Sequence, residues 1–254
     1  MRANYHTHTY RCNHGYGDVP DYVRAAREAG LQTLGFSDHT PYPFKDGYYS
    51  NMRMWPRELP YYAASVRRAR EENPDLTIHL GLEAEYYPAH FGQLMDMVRD
   101  EGVEYLILGQ HWLGNEQGED YNGHPTEDLQ KLIRYCDQTI EAMQTGVFSY
   151  FAHPDLINFR GERKLYEQQI RRICQEAKSC NLPLELNLLG LKGGRNYPNP
   201  WFWPIAREEG CAVILGRDAH KPEALLDTDT EHKAIAFLAQ WDLTPIEELT
   251  LVKP

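Results

Sequence analysis

A chain of 254 residues with 42% hydrophobic side chains can bury one large core, and single α/β barrels commonly reach this length. Its 26 lysines and arginines face 37 aspartates and glutamates, and a net charge of -11 argues against a nucleic-acid polymer as partner. Five cysteines without a Cys-x-x-Cys pair, no signal core after Met1, and no apolar run near the roughly 18 residues of a membrane span predict a cytoplasmic protein with no membrane partner.

Short apolar runs rich in β-formers alternate with longer amphipathic stretches, the pattern of repeated βα units. The first predicted strand, 3–7, leads into His6-Thr7-His8, with His14 shortly after. A helix over 18–29 follows, with Asp18 as N-cap and Gly30 beyond its end. The strand over 31–36 runs into Ser37-Asp38-His39-Thr40, and the long connection from Pro41 to Pro56 reads as a lid or a substrate wall. Next come a helix over 57–72 and a strand over 76–84 that ends in Glu83-Ala84-Glu85. A helix over 90–101, closed by Gly102, precedes a strand over 103–109 that leads to His111. The helix over 126–145, with Thr126 as N-cap and Gly146 beyond, precedes a strand over 147–152 and His153-Pro154-Asp155. After a helix over 163–180, the strand over 183–188 contains Glu185-Leu186-Asn187. A helix over 200–209, a strand over 211–216 that runs into Asp218-Ala219-His220, and a helix over 231–240 complete the series.

Seven of the eleven histidines thus stand in polar bursts that follow predicted strands. One barrel brings all seven strand ends to a single face, whereas an open doubly wound sheet rarely recruits so many. Imidazoles and carboxylates are ligands that divalent transition metals select, so the chain reads first as a multinuclear metal hydrolase. His6 and His8, two apart in a strand, share a face and can chelate one ion. Glu83 and Glu85 share the face opposite Leu80, Leu82 and Ala84, which describes either a half-exposed strand or a Glu83 that bridges two ions. His79, His90, His124 and His232 are assigned to structure or surface, Trp201, Phe202 and Trp203 to core or interface, and the single thiol of Cys12 is not counted as a ligand.

These motifs, with Gly81-Leu82-Glu83 and Gly216-Arg217-Asp218-Ala219-His220, resemble those of the polymerase and histidinol phosphatase (PHP) superfamily over nearly the whole chain. Gly81-Leu82-Glu83-Ala84-Glu85-Tyr86 and Glu185-Leu186-Asn187 are similar in particular to the stand-alone histidinol-phosphate phosphatases. The resemblance implies a single domain over 1–254, folded as a distorted (β/α)7 TIM-like barrel with a trinuclear site at the C-terminal ends of its strands. It places His6, His8, Glu83 and Asp218 on one ion, Glu83, His111 and His153 on a second, and His14, His39 and His220 on a third. Mixed nitrogen and oxygen ligation suits manganese, iron or zinc better than magnesium.

The expected reaction is attack on phosphorus by a hydroxide generated at ions that share Glu83, and the implied substrate is L-histidinol phosphate. Asp38 or a rim histidine such as His220 is the candidate donor to the leaving alkoxide. Arg160, Lys192 and Arg195 lie beyond strand ends where they can meet phosphate, and Arg53 resembles a family position on the long loop. The segment Leu191 to Tyr197 departs from the family by extra residues and by a lysine where arginine is commoner. The rival readings keep the metals and change the substrate to another small phosphate ester, a nucleotide or a phosphotyrosine, or turn the chemistry to the C–N hydrolysis of amidohydrolases. A metal-binding structural or regulatory module is the non-enzyme alternative.

Overall fold

The computed structural model describes residues 1–45 and 47–254. Seven parallel strands lie side by side in chain order: β1 (Ala3–Asn4), β2 (Thr33–Phe36), β3 (Thr77–Ala84), β4 (Tyr105–Leu108), β5 (Phe148–Phe151), β6 (Leu184–Asn187) and β7 (Val213–Gly216). The ring closes above β1 and β7, where Thr7 bridges Ala219, the His8 amide donates to the Ala219 carbonyl (2.9 Å) and the Ala219 amide to that of His6 (3.1 Å). This is the distorted (β/α)7 barrel that the family resemblance implies, built from the seven strands that the alternation predicts.

All seven strands occur within the stretches predicted for them, but β1 is much shorter than 3–7 because the chain leaves regular pairing after Asn4. The helices are α1 (Val19–Glu28), α2 (Leu59–Glu72), α3 (Phe91–Asp100), α4 (Leu129–Gln144), α5 (Arg163–Ser179), α6 (Leu188–Gly193), α7 (Phe202–Glu208) and α8 (Thr228–Ala239). Asp18 caps α1 in a reciprocal capping box with Asp21. Thr126 does not cap α4: it pairs with Phe159, and Asp128 accepts from the Gln130 amide instead (2.8 Å). Short α6, read as loop from the sequence, is started by the Asn187 side chain, which accepts from the Gly190 amide (2.8 Å). Trp203 and Phe202 are buried, as a core assignment requires. Among the described residues no helix is long and apolar enough to cross a membrane.

Two cores follow from strand alternation. The larger lies between sheet and helices and takes Leu80, Leu82 and Ala84 from β3. The smaller fills the lumen with Ala3, Tyr5, Tyr105, Ile107, Tyr150, Ala152 and Ile214, against which Leu249 and Leu251 of the C-terminal segment pack. Tyr105 spans this lumen, its hydroxyl donating to the carbonyls of Tyr5 (2.8 Å) and Phe36 (3.0 Å). Toward the C-terminal ends the lumen changes character: Glu83 and Glu185 project into it where Gly109 and Gly216 leave space.

Candidate metal centre

Glu83 is the hub. It is 1% exposed, so the half-exposed strand reading fails and its face of β3 is the barrel lumen. One carboxylate oxygen, Oε2, lies 3.5 Å from His6 Nε2, 3.4 Å from His8 Nε2 and 3.0 Å from His39 Nδ1. The other, Oε1, lies 2.9 Å from His153 Nε2 and 3.6 Å from His111 Nε2. Asp218 Oδ1 completes the first group at 3.5 Å from His6 Nε2 and 3.4 Å from His8 Nε2. Such spacings match the roughly 3.4 Å edge of a tetrahedron whose corners stand about 2.1 Å from an ion.

The polar atoms of this cluster lack ordinary partners. His6 Nε2, both ring nitrogens of His8, His39 Nδ1 and Glu83 Oε2 are buried without a hydrogen bond. Buried polar groups are normally paired, so this concentration of orphans fits ligands that await cations. Burial, reinforced by His220, lowers the His8 pKa to about 3, and burial keeps His39 well below its usual range, so both rings are in the neutral form that binds metal. For Glu83, burial alone would raise the pKa, but His39, His111, His6 and the hydrogen bond from His153 outweigh it and keep the carboxylate charged. His220 moves the other way: burial opposes its proton, yet Asp218 raises it to about 10, and an ion there would displace that proton.

Carboxylates behind the histidines aim them. Glu185 Oε2 meets His6 Nδ1 at 2.8 Å, which turns Nε2 toward Glu83 and Asp218. Glu85 Oε1 meets His111 Nδ1 at 2.8 Å and does the same toward Glu83. His153 (φ 35°) and Asp218 (φ 49°) hold left-handed backbone just past β5 and β7, a conformation that costs about 1–3 kcal/mol each and that aims both side chains inward.

The third group stands at the rim, with His14 Nε2 and His220 Nε2 2.8 Å apart. His39 joins it less directly than expected, since its Nδ1 faces Glu83 while its ring packs 5.4 Å from that of His14. Cys12, set aside as a lone thiol, is buried with its Sγ within 4.8 Å of donor atoms of His14 and His220. The four histidines assigned elsewhere do stand elsewhere: His124, for example, pairs with exposed Asp120, and His79 stacks on Tyr5.

Above the cluster opens a cleft of about 460 Å³, walled by Asn13, Asn51, Met52, Trp112, Tyr121 and Leu189, with Arg195 and Tyr197 to one side. The candidate substrate residues separate here. Arg195 lines the cleft and donates to the Tyr197 hydroxyl (2.7 Å). Arg160, exposed and bonded to Asn158 (2.7 Å), lines an adjoining groove that shares Arg195. Lys192 does not line the cleft, because it pairs with Asp227 (2.5 Å). Arg53 is no substrate cation either: it is 1% exposed and committed to Glu85 and Glu116. Asp38 is likewise withdrawn, accepting from the Thr9 amide (2.9 Å) and hydroxyl (2.6 Å) behind His8, where burial pushes its pKa up to about 7. A group sealed there has no path to a leaving alkoxide.

Sequence reasoning assigned no role to Glu185, Tyr197 or the wall residues. The signal for Glu185 was present: it and Asn187 are polar residues on one face of an otherwise apolar strand. For Trp112 and Tyr121 nothing in the spacing marks them.

The family model described as PHP domain matches residues 4–188, which runs from the last residue of β1 through β6. A probable histidinol-phosphatase of Deinococcus radiodurans is 30% identical over 224 residues, covering 85% of each chain. A probable histidinol-phosphatase of Schizosaccharomyces pombe is 23% identical over 252 residues, covering 87% of this chain and 81% of its own. Among solved structures, the histidinol phosphate phosphatase of Lactococcus lactis, complexed with zinc, L-histidinol and phosphate, superposes with a TM-score of 0.75 at 17% identity, over 99% of this chain and 98% of that one.

Proposed function

Because the chain belongs to the PHP domain family, we propose that it is a metal-dependent phosphomonoesterase that hydrolyses L-histidinol phosphate to L-histidinol and phosphate. The observation that carries this reading is Glu83, which offers one oxygen to His6, His8 and His39 and the other to His111 and His153. A carboxylate so placed would give each of two cations an oxygen ligand. The probable histidinol-phosphatases of Deinococcus and Schizosaccharomyces, and the ligands of the Lactococcus enzyme, support the substrate.

The ions, of manganese, iron or zinc, would supply an activated water and neutralise charge that grows on the phosphoryl oxygens. His6, His8, Glu83 and Asp218 would hold the first, Glu83, His111 and His153 the second, and His14, His39 and His220 the third. Glu185 and Glu85 keep His6 and His111 in the tautomers that present Nε2. Arg195, at the wall of the cleft, binds the phosphate, with Arg160 within the neighbouring groove. Asp38 being sealed behind Thr9, the proton for the leaving alkoxide enters from the solvent side of the cleft, past His14 and His220. The whole chain, 1–254, serves as one catalytic domain, since Asp218 and His220 lie beyond the matched residues yet join the same cluster.

Phosphate release by the manganese-loaded protein tests the substrate, measured over L-histidinol phosphate, nucleotides, sugar phosphates and phosphotyrosine. The highest kcat/KM is expected for L-histidinol phosphate; a preference for any other ester would overturn the substrate and leave the metal chemistry standing. Arg195→Ala is expected to raise KM about 10- to 100-fold, the worth of a charge-assisted hydrogen bond, with little change in kcat. A fall in kcat at constant KM would move Arg195 from ground-state binding to the transition state.

A further inference from the structure

Among the described residues Arg53 is the only arginine of the largest fully buried side chains, on a loop whose next residues toward the N-terminus, Met52 and Asn51, face the cleft. Its guanidinium meets four acceptor atoms on three groups. Nη1 donates to Glu85 Oε2 (3.1 Å) and to the Thr40 carbonyl (2.9 Å), and Nη2 to Glu85 Oε1 (3.3 Å) and Glu116 Oε2 (2.5 Å). Glu85 Oε1 is the atom that meets His111 Nδ1, and His111 Nε2 faces Glu83 Oε1 at 3.6 Å. A continuous polar chain therefore runs from the cleft wall through Arg53, Glu85 and His111 to Glu83.

The same residue anchors two further pieces of the rim. Its carbonyl accepts from Asn13 Nδ2 (2.9 Å), beside His14, and from the Tyr49 hydroxyl (2.9 Å). Glu116, itself in left-handed backbone (φ 75°), also accepts from the hydroxyls of Tyr87 (2.8 Å) and Tyr48 (3.2 Å), which fixes the loop that follows β4 and carries Trp112.

We propose that Arg53 is a positioning residue that couples the substrate-facing loop to the ion held by Glu83, His111 and His153. The coupling rests on the metal assignment made above. Its physics is charge and fork geometry: Glu85 and Glu116 are two buried carboxylates that share one guanidinium. Without that cation they repel each other in a low dielectric, and Glu85 no longer stays in the orientation that aims His111. A lysine cannot replace it, because a single ammonium does not span both oxygens of Glu85 and also reach Glu116.

The test uses the full chain as wild type, Arg53→Lys, Arg53→Met and Glu116→Gln, each checked for wild-type circular dichroism, with manganese affinity measured by equilibrium dialysis. Arg53→Met and Arg53→Lys are expected to weaken one class of manganese site about 10- to 100-fold, to leave the others unchanged, and to raise KM. Glu116→Gln, which keeps the Arg53–Glu85 pair, is expected to raise KM at unchanged manganese affinity. Should Arg53→Met fail to fold, Arg53→Lys carries the same test. Wild-type manganese affinity in the arginine variants would overturn the coupling, whereas a wild-type chain that binds no manganese would overturn the metal assignment beneath it.

Discussion

Replacing Glu83 with alanine is expected to remove bound divalent ions and phosphatase activity together. Among the described residues the carboxylate is the only group with oxygens facing both the His6/His8/His39 set and the His111/His153 set. Its loss would therefore cost a ligand at each of the two proposed ions at once and leave several imidazoles with no shared anion. The fall in kcat/KM should be at least about a thousandfold, since loss of a single preorganised charge-stabilising group already costs about 10²–10³. Glu83→Gln should fall nearly as far, because a neutral amide presents only one acceptor oxygen. The two readouts are ion content and phosphate release from the same preparation. Full ion content in the alanine variant would show that Glu83 does not bridge.

Gly109→Ala is expected to imitate much of that loss without touching any ligand. A β-carbon at Gly109 would lie 2.1 Å from Glu83 Oε1 and 2.7 Å from its Cδ, closer than atoms can approach. In most places the far end of a glutamate would swing away cheaply. Here five imidazoles converge on it, and moving it uncouples the second group from the first. Ion affinity should fall about 10- to 100-fold or more, in the range set by disturbing the support of a metal ligand. Gly216→Ala should act on the other flank, since its β-carbon would lie 2.0 Å from Glu185 Oε2, which orients His6. Gly92, in α3 with nothing near its missing β-carbon, is the control, and its alanine variant should retain full affinity. Unchanged affinity in Gly109→Ala would mean that Glu83 has room to move and is not held as described.

The strands and the histidines were legible in the sequence for the same reason. Almost every polar burst directly follows a β-rich apolar run, so a barrel carries them to one end. What alternation could not say was which face of β3 is the lumen, because Glu83 and Glu85 look alike on an exposed strand and on an inward-facing one. Basic residues were the least legible. Arg53 and Arg195 sit on loops near the cleft and Lys192 in short α6, yet Arg53 is buried between two glutamates, Lys192 pairs with Asp227 and Arg195 lines the cleft. Their partners come from distant segments, and a cation's role follows from those partners. Asp38, a candidate donor to the leaving alkoxide, misled in the same way: Thr9, far back in the chain, takes both its oxygens.

The most direct test of the central claim is the number of ions per chain. Wild-type protein would be equilibrated with manganese, freed of unbound ion, analysed for metal, and assayed before and after chelation. About three ions per chain, lost to chelator together with phosphatase activity and regained with it on reloading, is the expected result. A chain that holds less than one ion and hydrolyses phosphomonoesters undiminished after chelation would contradict it.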